Sequence, residues 1–232
     1  MSRDIYASMS GASAAWTQLE IVANNLANAS TAGFKEQRVT FDLEAAMDDP
    51  LADVYVDAEL ATPNFEDGPL VHDEVDTHLA LRGRGFFVAG DAGSEVLVRS
   101  GNFQLDADGY LVTSSGMKVQ GQGGSIQLME GEALRVAQDG SILDDTGAVL
   151  DRLRLVDAAE LEPLGGTGWR ATSAVYEVDS ASIVQGALEG SNTDPMRSMT
   201  ELMEASRYFE AYQKAMQTSD QLDGQLNQMV SS

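Results

Sequence analysis

The chain has 232 residues, carries 37 acidic residues against 14 Lys and Arg for a net charge of −23, and contains no cysteine. A surface this acidic is repelled by nucleic acid and anionic lipid, and the missing thiols exclude disulfides, thiolate nucleophiles and cysteine-ligated metal. Hydrophobic residues at 43% with aromatics at only 6% suit a folded protein whose core rests on aliphatic side chains.

The first element in chain order is a helix. Ile5, Met9, Ala12, Trp16, Leu19, Ala23 and Leu26 follow one another at alternating steps of four and three, a heptad seam held over three repeats. No proline interrupts it, and Gly11 is its weak point. The spacing predicts a helix over 3–28, about 39 Å long at ~1.5 Å per residue, ended by Ser30-Thr31-Ala32-Gly33. Polar residues interrupt this stretch too often for a secretory signal, and no segment is apolar enough to span a membrane. Passage out of the cytoplasm would therefore need an uncleaved export signal.

Residues 40–69 show no clear period, and 35–69 read as an extended acidic connector. Between Arg38 and Arg82 there is no Lys or Arg, while acids recur at Asp42, Glu44, Asp48, Asp49, Asp53, Asp57, Glu59, Glu66, Asp67, Asp73, Glu74 and Asp76. This is read as a solvated surface.

Residues 70–182 change period. Leu79–Leu81 and Phe86–Ala89 are short apolar runs, and Glu95–Arg99, Asn102–Leu105 and Tyr110–Thr113 alternate. Ser125–Leu128, Leu134–Ala137, Ser141–Leu143 and Arg152–Val156 continue the pattern, with Asp-Ala-Asp-Gly, Gln-Asp-Gly-Ser and Asp-Asp-Thr-Gly turns between them. Short strands at hairpin spacing predict a central all-β domain of antiparallel strands.

Residues 183–232 return to the helical period. Asp194 caps and Pro195 opens a helix. Leu202, Ala205, Phe209, Tyr212, Met216, Ser219, Leu222, Leu226 and Met229 recur at three- and four-residue steps. The expected fold class is α+β: N- and C-terminal amphipathic helices (within 1–34 and 183–232) pairing as a coiled coil, with the connector and β domain between. Two arrangements are open from pattern alone. Both helices can pack on the sheet of one molecule, or their seams can meet other copies and build a filament.

Three strings of residues then carry a resemblance. They are Asn24-Asn25-Leu26-Ala27-Asn28-Ala29-Ser30-Thr31-Ala32-Gly33-Phe34-Lys35, then Arg82-Gly83-Arg84-Gly85-Phe86-Phe87-Val88 with Arg99 to Val112, then Gly186 to Pro195 with Arg207-Tyr208-Phe209-Glu210-Ala211-Tyr212. In this order they resemble the signatures of the flagellar basal-body rod and hook family, and Met1 to Ala12 is similar to the start of its proximal-rod members. Distal-rod and hook-type members are the alternatives within the family. The resemblance implies a structural subunit, exported by the flagellar type III apparatus and polymerising in the periplasm with itself and other rod proteins. The implied product is a hollow shaft lined by paired terminal helices. The implied assembly interface is Ile5, Met9, Trp16, Leu19, Ala23, Asn24, Asn25, Leu26 and Asn28, with Leu202, Phe209, Tyr212, Met216, Leu222 and Leu226. Without their partners the terminal helices are expected to fray in the free chain.

The residues offer no catalytic set, cofactor or metal site to set against this. His72 and His78 are six apart and match no zinc pair, so they are read as solvated. The Asp106-Ala107-Asp108-Gly109 string begins like a calcium loop, but Gly109 comes early and Met117 stands where the bidentate Glu belongs, so it reads as a hairpin turn. Arg82-Gly83-Arg84-Gly85 is no dinucleotide fingerprint. The Asn28-Ala29-Ser30 sequon lies at the helix end. A glycosidase would need two rigidly held carboxylates, and an all-β surface binding module would need exposed aromatic platforms.

Overall fold

The structure is a computed structural model that describes residues 3–45, 54–91, 93–129, 134–144, 146–178 and 181–230. The chain divides into two units. Unit 1 joins residues 1–27, 36–64 and 193–232; unit 2 joins 28–35 and 65–192.

In unit 1 the two heptad-patterned segments form helices α1 (Arg3–Ala27) and α2 (Pro195–Val230). Asp194 caps α2 as its position before Pro195 predicts: its carboxylate accepts from the Met196 amide at 2.9 Å. The helices pack against each other and run antiparallel, since Trp16 meets Phe209 (ring centroids 5.3 Å apart) while Gly11 meets Tyr212. Gly11 is therefore a point of close approach: a Cβ there would fall 2.5 Å from the Tyr212 ring. Ala12, Ala14, Ala15 and Val22 of α1 and Ala205 of α2 are buried.

The interval 35–69, expected as an extended acidic connector, contains two strands. Gln37–Ala45 (β1) and Val54–Pro63 (β2) pair as an antiparallel hairpin from Gln37↔Pro63 to Ala45↔Val54, with a shift of register between Arg38 and Thr40, and the hairpin contacts α1. Val39, Phe41 and Leu43 alternate with polar residues, which is a strand signal that the dense acidic residues obscure. Of the acidic positions named above, Asp48, Asp49 and Asp53 lie outside the described residues.

Unit 2 holds the short strands. They are β3 (Leu70–His72), β4 (Leu79–Arg82), β5 (Phe86–Ala89), β6 (Val96–Val98), β7 (Phe103–Leu105), β8 (Leu111–Thr113), β9 (Arg135–Val136), β10 (Ser141–Leu143) and β11 (Val149–Arg152). There follow β12 (Leu155–Ala158), β13 (Leu161–Gly165), β14 (Gly168–Ala171), β15 (Val175–Glu177), β16 (Ser182–Gln185) and β17 (Ala187–Glu189). The largest sheet has the order β13-β14-β6-β5-β12-β15, all antiparallel. Smaller ladders join β11-β10-β9, β7-β8, β16-β4 and β17-β3.

Strand β5 shows why the sheet is buried. Its four residues are all inside, but alternately: Phe87 and Ala89 enter one core with Leu79, Phe103 and Leu111, while Phe86 and Val88 enter a second with Leu97, Val156 and Trp169. The pleat sends successive side chains to opposite faces, so an unbroken apolar run marks a strand covered on both. Phe87 and Phe103 meet edge to face at 5.1 Å, and Phe65 meets Trp169 at 5.4 Å on the other side.

The Asp106 string is a hairpin turn between β7 and β8, as expected. Its carboxylate accepts from the amides of Asp108 (2.9 Å) and Tyr110 (2.8 Å), so backbone donors occupy it. His78 is not simply solvated: its Nδ1 lies 2.5 Å from Asp73, and that hydrogen bond holds the Asp73 carboxyl below the usual carboxylate range. Strands β13 to β17 extend the domain beyond the runs read from sequence. In β13, Pro163 interrupts the pattern, which a sheet edge tolerates because one row of backbone donors faces outward.

Candidate assembly site

Three charged side chains are buried together in unit 2. Glu189, at the end of β17, and Lys35 each keep 1% of their side-chain surface, and Arg99, just past β6, keeps 3%. Lys35 Nζ donates to Glu189 Oε1 at 2.7 Å and to the Glu66 carbonyl at 2.7 Å. Arg99 Nε donates to Glu189 Oε2 at 2.5 Å. Its Nη1 reaches the Gly85 carbonyl at 2.6 Å, and its Nη2 reaches the Leu81 carbonyl at 3.1 Å and Asp67 at 3.2 Å. The Gly68 amide completes the Glu189 carboxylate at 2.9 Å.

Burying a charge is costly unless it is paired and its remaining hydrogen-bonding positions are filled. Here two cations meet two carboxylates, and backbone groups take the donors left over. Burial pushes the Lys35 amine below its usual value, against the opposing pull of Glu189. The backbone is drawn in as well: the Gly33 amide donates to the Glu189 carbonyl at 2.7 Å. Gly33 has φ +72°, and a Cβ there would lie 2.4 Å from the Ser100 amide nitrogen. Lys35, Arg99 and Glu189 come from the three strings singled out in the sequence, and these strings converge on one cluster.

Asn25 is buried near the end of α1, and its carboxamide bonds both backbone groups of Gln37: it donates to the carbonyl at 2.8 Å and accepts from the amide at 2.9 Å. The side chain acts as a short strand partner for the start of β1. Asn25→Ala is expected to cost about 1–3 kcal/mol through the two orphaned backbone groups, read as faster hydrogen exchange at the Gln37 amide. Asn28 accepts from the Thr31 hydroxyl at 3.2 Å, in the turn that follows α1.

The other residues expected at the interface are distributed unevenly. Trp16, Phe209 and Tyr212 lie on the α1–α2 contact, with Trp16 still 47% exposed. Leu19, Ala23, Leu26, Leu202 and Met216 are half-buried, whereas Met9, Asn24 and Leu222 are exposed. The side chains of Ile5 and Leu226 lie outside the described residues. Sequence reasoning quoted Lys35, Arg99 and Glu189 inside its motifs but gave none of them a role. The available signal was a lone charge ending an apolar strand, as in Val96-Leu97-Val98-Arg99 and Ala187-Leu188-Glu189.

The structure thus offers a cluster of charges neutralised inside unit 2 and, in unit 1, two long helices in contact. Comparison with known proteins agrees segment by segment. Residues 5–35 match the family described as flagella basal body rod protein, 80–148 the flagellar hook protein FlgE/F/G D1 domain, and 184–229 the flagellar basal body rod FlgEFG protein C-terminal region. Over the whole chain, the flagellar basal-body rod protein FlgF of Salmonella typhimurium is 34% identical, covering 100% of this chain and 99% of that protein. The FlgF of Caulobacter vibrioides is 32% identical over 96% and 95%, and the rod protein FlgG of Bacillus subtilis 29% over 96% and 97%. The chain belongs to the flagellar basal-body rod protein family, a family of structural rod subunits, and is most like its FlgF members. Each matched segment supplies one residue of the buried cluster: Lys35, Arg99 and Glu189.

Proposed function

We propose that this rod subunit occupies the proximal rod, polymerising with itself and other rod proteins into a hollow shaft that carries torque and conducts exported subunits. The observation that carries this reading is the antiparallel contact of α1 and α2 at Trp16–Phe209 and Gly11–Tyr212. It places the two family-matched ends in one helical unit. Along that contact Leu19, Ala23, Leu26, Leu202 and Met216 continue the seam as a coiled coil, and Ile5, Met9, Asn24, Leu222 and Leu226 serve as further assembly positions. Residues 1–34 and 183–232 serve as assembly segments, and 70–182 forms the β domain.

The Lys35–Arg99–Glu189 cluster anchors the β domain to the chain leading into those segments. Load passing along the chain meets a cross-link of short charge-assisted bonds there instead of a flexible loop. The work is mechanical and uses no catalytic group, cofactor or nucleic acid. Export proceeds through the flagellar type III apparatus without a cleaved signal, and the rod lies in the basal body across the periplasm. A distal-rod or hook-type place is the second reading, favoured by the similarity to FlgG over nearly the same span.

The test is electron microscopy of basal bodies from cells lacking this protein, rescued with wild type or with Leu19→Asp. Rods that stop short, restored by wild type and not by Leu19→Asp, are expected. Complete basal bodies without the protein would overturn the proposal.

A further inference from the structure

The six-stranded sheet of unit 2 ends on two edges, β13 and β15, and they are built differently. On β13, Pro163 lacks an amide hydrogen and the register shifts between Pro163 and Gly165, two devices that keep a further strand from pairing. On β15 there is neither. Val175, Tyr176 and Glu177 pair with β12 in unbroken register, and all three are exposed, Val175 at 43% and Tyr176 at 52%.

The ladder shows which backbone groups are left over. The Val178 amide donates to the Leu155 carbonyl at 3.0 Å, which continues the register of Asp157↔Tyr176 two residues further on. Hydrogen-bonded pairs alternate along an antiparallel ladder, so Tyr176 bonds β12 while Val175 and Glu177 fall between. The amides and carbonyls of Val175 and Glu177 therefore point away from β12, and none of the four is bonded among the described residues. They form a strip on which one more strand can lie.

The side chains at this edge say what that strand carries. Asp157, opposite Tyr176, is buried, and its Oδ2 accepts from the Tyr176 hydroxyl at 3.2 Å. Arg84 approaches the same oxygen at 3.4 Å with its side chain 70% exposed, and it meets no other carboxylate among the described residues. An outward guanidinium with most of its donors unused thus stands beside an exposed tyrosine ring. A second carboxylate placed opposite Tyr176 can take this guanidinium bidentately. On the other face of the strand, Val175 matches an apolar neighbour and Glu177 a cation. A second copy does not fit the pattern, because two β15 strands paired antiparallel about Tyr176 would set one Arg84 against the other.

We infer that β15 is a docking edge for an extended segment of another protein, added antiparallel. That segment places a carboxylate opposite Tyr176, an apolar residue opposite Val175 and a lysine or arginine opposite Glu177. Every pair in this sheet is antiparallel, which sets the sense. The inference goes beyond the rod-subunit reading and does not depend on it.

A fluorescein-labelled peptide, Thr-Lys-Glu-Val-Thr-amide, carries the required order and tests this on the full chain by fluorescence anisotropy, with amide hydrogen exchange to locate it. The peptide is expected to bind and to slow exchange at the Val175 and Glu177 amides. Val175→Pro removes an amide that the β12 ladder does not use, and the peptide is expected to bind it at least roughly fivefold more weakly. Replacing the peptide's glutamate by lysine is expected to weaken binding, although a chain of charge −23 attracts the added cation. Arg84→Gln is expected to abolish that difference, and this arm decides the matter even if the proline variant does not fold. Absence of binding at millimolar peptide, protection at other amides, or equal binding of the glutamate and lysine peptides to wild type would each sink the inference. So would protection of Val175 and Glu177 that rises with protein concentration alone, which would make the occupant a second copy.

Discussion

Glu189→Ala is expected to cost about 3–5 kcal/mol of folding stability, one of the two largest effects of a single change in this chain. The carboxylate is the only one within salt-bridge distance of both Lys35 and Arg99 among the described residues, and all three side chains are at least 97% buried. Removing it leaves two cations side by side in the interior, with Asp67 on the solvent side of Arg99 as the remaining carboxylate. Glu189→Gln keeps the shape and still leaves the charge unbalanced, so it should recover only part of the loss. Lys35→Met is expected to cost less, because Glu189 keeps Arg99 and the Gly68 amide. The double variant Lys35→Met/Glu189→Gln should cost less than the sum of its parts, as groups in one network couple. Urea unfolding midpoints of the four variants decide this. Additive losses would mean the three charges do not act as a unit.

Gly33→Ala is the second large effect, expected at about 3 kcal/mol or more. Left-handed backbone costs about 1–2 kcal/mol for a residue with a Cβ. At Gly33 the added carbon would also press on the backbone at Ser100 from 2.4 Å, where no flexible side chain can yield. Gly147 separates the two contributions. It has φ +85° with nothing near its missing Cβ, so Gly147→Ala should show the conformational cost alone. Comparable melting temperatures for the two variants would show that the close packing at Gly33 contributes little. The expected result is a much lower one for Gly33→Ala.

The helices were legible in the sequence because periodicity reports the face a segment buries. The step of Ile5, Met9, Ala12 and Trp16 gave α1, and Asp194-Pro195 gave the start of α2 to the residue. The inner strands were legible for a related reason: Phe86 to Ala89 is apolar throughout since both of its faces are covered. The β1–β2 hairpin was missed because its alternation is carried by few apolar residues among many acids. Strands β13 to β15 were missed where exposure or Pro163 weakens the pattern, and β16 and β17 because each is too short to show a period. The buried cluster was illegible in a different way. Lys35, Arg99 and Glu189 are far apart in sequence, and a lone charge at the end of an apolar strand, as at Arg99 and Glu189, does not say which distant charge will pair with it. Asn25 posed a similar ambiguity, since its amide could serve a neighbouring helix or its own backbone, and only the fold places Gln37 opposite it.

The spacing of the cluster along the chain has a temporal consequence. Lys35 and Glu189 are 154 positions apart, and β16 and β17 are the strands that pair with β4 and β3. Any route that delivers this chain from its N-terminus presents both cations long before the carboxylate that neutralises them. Until position 189 arrives, Lys35 and Arg99 favour water over the interior, and the edges of β3 and β4 stay open. The closing stitch of the β domain is thus sewn by nearly the last residues it contains, so a partly delivered chain stays pliant and a fully delivered one locks.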